Sequence, residues 1–271
     1  MKKIYNHIIL KLKSYKITII LTALLLYHFA LFVNLLKQEN YHNIFDLFIT
    51  EFNYFALFVV YSLGYLLIIY NVNQKTNFYK YYYLKFNNKL EVYNINVITL
   101  FIISIIFTLL INLFSFAEGI VTLPLENLWS DYFYHIMGGT QDIFFPLDSV
   151  QILTSKITPI IYVLLINLYV ILYFFLEGLL YFVIDSFLNR DGLSLVVVIF
   201  INTINRFLDS LGGIMPKLSF TNNIYFITSP IENISNYSFI LFRIFYWFIL
   251  IFSVYIIGRV RTIKSDYKFL D

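Results

Sequence analysis

Four histidines punctuate the chain, at His7, His28, His42 and His135. Two of them stand four residues from an acid, as His42/Asp46 and Asp131/His135. On helices each pair shares a face. A metal centre would need both pairs to meet in space; otherwise they are solvated polar surface. Glu177 is a lone acid in the apolar stretch FFLEGLLYF. A carboxylate at that depth costs about 2.5–3.5 kcal/mol on insertion scales, so it faces a bundle interior or a wet cavity. There it pairs with a base, holds a proton, lines a transport path or makes an interhelical contact. Arg206 and Asp209, three apart, can pair on one helix face, and Arg243 begins the last apolar run on the same side. This trio reads first as structural glue and second as part of a gate.

Chemistry beyond these groups is sparse. The sequence holds no GxxxxGK[ST], no HExxH and no GxSxG, so it offers no Walker ATPase and no familiar hydrolase signature. With no cysteine there is no disulfide, thiolate metal site or cysteine nucleophile. No nucleophile, acid and base converge, and the expectation is a non-enzyme with no cofactor or metal of its own. If it is an enzyme after all, one polar residue, Glu177 or His135, should prove indispensable.

The elements that hold these groups are set by hydropathy. The 271 residues are 60% hydrophobic, 21% aromatic and 13% charged, with mean hydropathy +0.76. A soluble domain carries about 25% charged residues. The class expected is therefore all-α, a polytopic integral membrane protein. Six apolar runs stand out, at 17–36, 52–72, 95–117, 157–185, 193–208 and 238–258. About 20 residues span the hydrocarbon core, so the fourth run must tilt or project and the fifth is short. The first run lacks a small-x-small cleavage site and reads as a retained anchor.

Charge sets the orientation. Lys2, Lys3, Lys11, Lys13 and Lys16 precede run one; Lys75, Lys80, Lys85 and Lys89 follow run two; Arg259, Arg261, Lys264 and Lys268 follow run six. The alternate loops are acidic, with Glu39, Asp46 and Glu51 in one and Glu118, Glu126, Asp131, Asp142 and Asp148 in another. The positive-inside rule then places both termini in the cytoplasm.

On that side lies KTNFYKYYYLKFNNKL, Lys75 to Leu90. As a helix it aligns Phe78, Tyr82, Phe86 and Leu90, joined by Tyr79 and Tyr83. It is either a basic loop that only fixes topology or a short surface helix that meets a partner. Tethered between two spans, it has little room to track a nucleic acid. MKKIYNHIILKLKSYK is similarly basic and amphipathic and reads as an interfacial helix or a plain anchor. On the outer side, PLENLWSDYFYHIM is expected to be a helix from Pro124 to Gly138-Gly139, with a further turn after Pro146. Trp129, Tyr132 and Phe133 on its apolar side are the candidate outer-surface contact, either a lid or a face that meets a ligand. Residues 209–237, broken by Gly212-Gly213, Pro216 and Pro230, suit a segment that dips partway into the membrane.

Taken together, the six runs, cytoplasmic termini, basic amphipathic lead, cytoplasmic segment 73–94, short fifth run and broken connection 209–237 resemble the permease subunits of ABC-2-type exporters. Among these the chain looks most like the small permeases of bacteriocin and lantibiotic self-protection systems, although its 39-residue outer loop, 118–156, departs from the simplest members. The resemblance implies a single transmembrane domain, 1–271, in a bacterial cell membrane. It implies an ABC ATPase partner in two copies that supplies ATP and Mg, and a second permease subunit, identical or not. It implies that Phe78, Tyr79, Tyr82, Tyr83 and Phe86 couple to the ATPase, and that an amphipathic peptide or lipid-like substrate moves outward or out of the membrane. The alternative is a stand-alone immunity or assembly protein that binds a peptide or lipid without transport.

Overall fold

The computed structural model describes residues 14–38, 42–72, 88–138, 147–188, 192–211, 213–225 and 237–264. Among them every regular element is helical. The order is α1 Tyr15–Leu36, α2 Ile44–Glu51, a π-helical segment Ala56–Tyr61, α3 Ser62–Val72, α4 Lys89–Thr122, α5 Asp131–Gly138, α6 Leu147–Lys156, α7 Pro159–Leu188, α8 Leu193–Phe207, two 3₁₀ turns Leu208–Ser210 and Met215–Leu218, α9 Phe220–Tyr225 and α10 Tyr237–Lys264. Five helices are long and apolar enough to cross a membrane, and six if the bent pair 44–51 with 56–70 counts as one span. This is the architecture of a multi-pass helical membrane protein. Leu26, Leu109, Phe200 and Phe242 are each about two-thirds exposed on its flanks. In water such side chains would form costly patches; against lipid they cost nothing.

α7 is the central post. It packs against α10, α4, α8, α3, α9 and α2. Pro159 opens it, where the missing N–H is no loss. Its 30 residues span about 45 Å at 1.5 Å per residue, longer than a bilayer core is thick. The core around it is aromatic, with Tyr65, Tyr162, Tyr169, Tyr173, Phe174 and Trp247 almost wholly buried.

A bend stands at the start of the second run, expected over 52–72. α2 and the helix that follows meet at 55°. Asn53 holds the break: its Oδ1 accepts from Ala56 N at 2.9 Å and its Nδ2 donates to Thr50 O at 2.7 Å. One side chain thus caps the end of α2 and the start of the next helix, satisfying backbone groups that the bend orphans. α2 itself starts with a capping box between Asn43 and Asp46.

Other boundaries also move. α4 begins at Lys89, where Asn88 Oδ1 accepts from Glu91 N at 2.7 Å, so 89–94 belong to this helix rather than to the cytoplasmic segment 73–94. α4 ends at Thr122, inside the expected loop 118–156. No helix starts at Pro124, because that stretch is engaged elsewhere: Pro124 O accepts from Ile44 N at 3.1 Å and Leu128 O accepts from Asn43 Nδ2 at 2.6 Å. The helix starts at Asp131, with Ser130 Oγ accepting from Phe133 N at 2.9 Å, and the expected turn after Pro146 is α6.

The described part of the connection after the fifth run folds back onto the bundle. Gly213, at φ +76°, turns the chain after α8 in a conformation that side chains disfavour. The 3₁₀ turn and α9 then return, and all six residues of α9 are buried. Asn205 Oδ1 accepts from Phe220 N at 2.6 Å, Asn223 Nδ2 donates to Lys217 O at 2.9 Å, and the Tyr225 hydroxyl donates to Phe52 O. The returning backbone is covered by protein, as an irregular segment at membrane depth must be.

Candidate functional site

Two buried polar centres lie among the spans. The first is built from three elements. His28 of α1, Glu51 at the end of α2 and Ser115 of α4 are each 0% exposed. His28 Nδ1 lies 2.8 Å from Glu118 Oε2, and Nε2 is in contact with Glu51 Oε1. Ser115 Oγ donates to Glu51 Oε2 and lies 3.4 Å from His28 Nε2. The Phe114 ring meets the imidazole edge-on at 5.8 Å. A carboxylate at a helix C-terminus opposes the helix dipole. Glu51 sits there all the same, compensated by the imidazole and the serine hydroxyl. With a carboxylate at each ring nitrogen, His28 fits as imidazolium, donating through both.

That geometry limits the chemistry. Ser115, His28 and Glu118 have the composition of a hydrolytic triad, but Glu51 occupies both the serine hydroxyl and Nε2. The imidazole is left with no lone pair to take the serine proton. Nor does the centre suit a metal, since one ion takes one ring nitrogen and the two carboxylates lie at opposite ones. Among the described residues no group of three His, Asp or Glu could hold a metal ion.

The second centre lies between α3, α7 and α8. Glu177 is 1% exposed. Its Oε1 accepts from Ser62 Oγ and, at 2.6 Å, from Asn202 Nδ2. Asn202 Nδ2 also lies 3.0 Å from the Tyr173 hydroxyl and 3.2 Å from Ser62 Oγ. Ser62 follows directly on the π-helical segment, a kind of distortion frequent at functional sites. Tyr65 presses its hydroxyl against Gly178: a Cβ there would stand 2.8 Å from the oxygen. Glu177 therefore makes the interhelical contact that the sequence allowed for, through neutral donors.

The remaining sequence candidates are scattered. Arg206 and Asp209 do not pair; the Arg206 guanidinium sits 4.5 Å over the Tyr54 ring. Arg243 lies 3.6 Å over the Phe239 ring and donates to Phe239 O at 3.2 Å. The expected trio is thus separate cation–aromatic contacts, because aromatic faces are the nearer partners. His42 lies edge-on to Tyr132 at 4.7 Å and its Nε2 is 3.1 Å from Gln38 O, while Asp46 accepts from Asn43 N at 2.7 Å and from Ser130 Oγ at 2.6 Å. Asp46 clasps α2 to the outer loop. The His135 side chain lies outside the described residues, as do Phe78, Tyr79, Tyr82, Tyr83 and Phe86.

Trp129, Tyr132 and Phe133 turn inward rather than forming an outer contact surface. Tyr132 and Phe133 are buried, and Trp129 Nε1 donates to Ile157 O at 2.9 Å. Burial pushes the Tyr132 hydroxyl pKa up. Among the described residues of this loop after α4, Leu125, Leu128 and Tyr134 are left outward.

The sequence reading missed the His28 centre. The charge pattern puts Glu51 and Glu118 in loops, and the signal that finds the centre is His28 itself, a lone titratable group in the middle of an apolar run. No family model, curated protein or solved structure matches the chain.

Proposed function

We propose that the chain is the membrane-embedded subunit of an ATP-driven exporter, moving an amphipathic peptide or lipid-like substrate outward or out of the membrane. The observation that carries this reading is the return after α8: a short helix, α9, wholly buried within a bundle of long apolar helices. Broken segments inside a membrane layer are tolerated where they line or close a pathway. The bend held by Asn53 is a second break at the same end of the bundle.

With no Walker motif in the sequence, hydrolysis belongs to a separate ATPase, present as a pair, and a second permease subunit completes the pathway. The ATPase grips the cytoplasmic segment through Phe78, Tyr79, Tyr82, Tyr83 and Phe86. The setting is the cytoplasmic membrane of a bacterium.

The test is affinity purification of the tagged chain from its native membranes. An ATPase with a Walker motif should come with it, and Tyr82→Ala with Phe86→Ala should release that ATPase while the helical spectrum stays intact. If the chain purifies alone and performs its cellular role in a foreign host, it is a stand-alone membrane binder and the exporter reading is wrong.

A further inference from the structure

The Glu177 centre has an imbalance that its neighbours do not repair. Oε1 is served by Ser62 and Asn202, but no donor among the described residues reaches Oε2. Asn202 Oδ1, another acceptor, also has no partner among the described residues. Acceptors thus outnumber the donors pointed at them.

Charge is out of balance in the same way. Four of the elements packed around α7 bring a charged side chain, and each is engaged elsewhere. Glu51 of α2 faces His28, Arg206 of α8 covers Tyr54, Arg243 of α10 covers Phe239, and Arg261 of α10 donates to Ser186 O at 3.4 Å. Glu118 of α4 faces His28 as well. The groups that do face Glu177 are Ser62 and Tyr65 from α3, Tyr173 from its own helix and Asn202 from α8. All four are neutral. An ionised carboxylate in a dry helical core with no counter-charge costs several kcal/mol.

We infer that Glu177 is a buried single-proton site, carrying its proton on Oε2, that holds α3, α7 and α8 together in the neutral form. In the step itself a hydronium ion from the aqueous phase loses one O–H bond and becomes water, one O–H bond forms at Oε2, and the carboxylate charge goes to zero. Loss of the proton would leave a bare anion facing two neutral donors at Oε1 and force α8 or α3 to let water in. The site is thus a point where proton release loosens the bundle. A metal cation fits less well, because Asn202 turns its amide NH₂, not its carbonyl, toward the carboxylate. The inference stands whether or not an ATPase drives the chain.

The experiment is infrared difference spectroscopy of the membrane-reconstituted full chain at neutral pH, unaltered minus Glu177→Gln. The expected result is a carbonyl band of a protonated carboxyl, present in the unaltered chain, lost in the variant and indifferent to sodium or potassium. Carboxylate bands in its place would overturn the proposal. So would a band or a thermal midpoint that responds to sodium only when Glu177 is present. If the Gln variant does not fold, Ser62→Ala keeps the carboxyl and removes one hydrogen bond to Oε1. The protonated-carboxyl band should then shift, and a spectrum without any such band overturns the proposal equally.

Discussion

The two buried acids of this bundle are kept by opposite means. Glu51 is held by charge: an imidazole stands against one oxygen, and a second acid, Glu118, takes the far side of the ring. Glu177 is held only by neutral groups from α3 and α8. The first centre ties α1, α2 and α4 together and reaches the surface through Glu118, which is 16% exposed; the second is closed. The difference shows that a membrane bundle can store a carboxylate as an ion beside a cation or as a neutral acid among dipoles. Each choice fixes what a substitution will do.

The comparison breaks most readily at Glu51. Glu51→Gln leaves His28 with one carboxylate instead of two in a buried site. Removing one partner of a buried pair costs about 3–5 kcal/mol. Thermal unfolding in detergent should show that loss, or the variant should fail to accumulate; an unchanged midpoint would mean that the imidazole is neutral. A smaller effect is expected at Gly178, where a methyl would meet the Tyr65 hydroxyl. Gly178→Ala should cost about 1–3 kcal/mol, the usual range for overpacking, by the same measurement. The smallest belongs to Glu177→Gln. Exchanging a protonated carboxyl for an amide trades one neutral group for another, at about 0.6 kcal/mol, the average worth of a polar contact between membrane helices. Equal losses for the two Gln variants would erase the distinction between the centres.

Part of this was legible beforehand. The membrane class follows from apolar runs whose length is tied to bilayer thickness. Glu177 announced itself as an acid with no polar neighbour in sequence. The break after the fifth run was readable from Gly213 and Pro216, both of which disfavour a continued helix. The bend of the second span was not, because it depends on Asn53 capping in two directions, and an isolated asparagine has no period to betray it. The His28 centre escaped for a related reason. Its members come from three helices, and hydropathy placed Glu51 and Glu118 at the solvent edge. The inward turn of Tyr132 and Phe133 was hidden because a helix face shows which residues align, not what it packs against.

The exporter reading and both centres rest on one claim, that the bundle crosses a membrane with its basic end toward the cytoplasm. The chain has no cysteine, so a single introduced thiol reports without background. Leu128→Cys, at an exposed position of the outer loop, and Asn77→Cys, in the basic segment, are to be treated on intact cells with a membrane-impermeant maleimide. The account predicts labelling at position 128 and none at 77 until the cells are opened. Labelling at 77 in intact cells would contradict it.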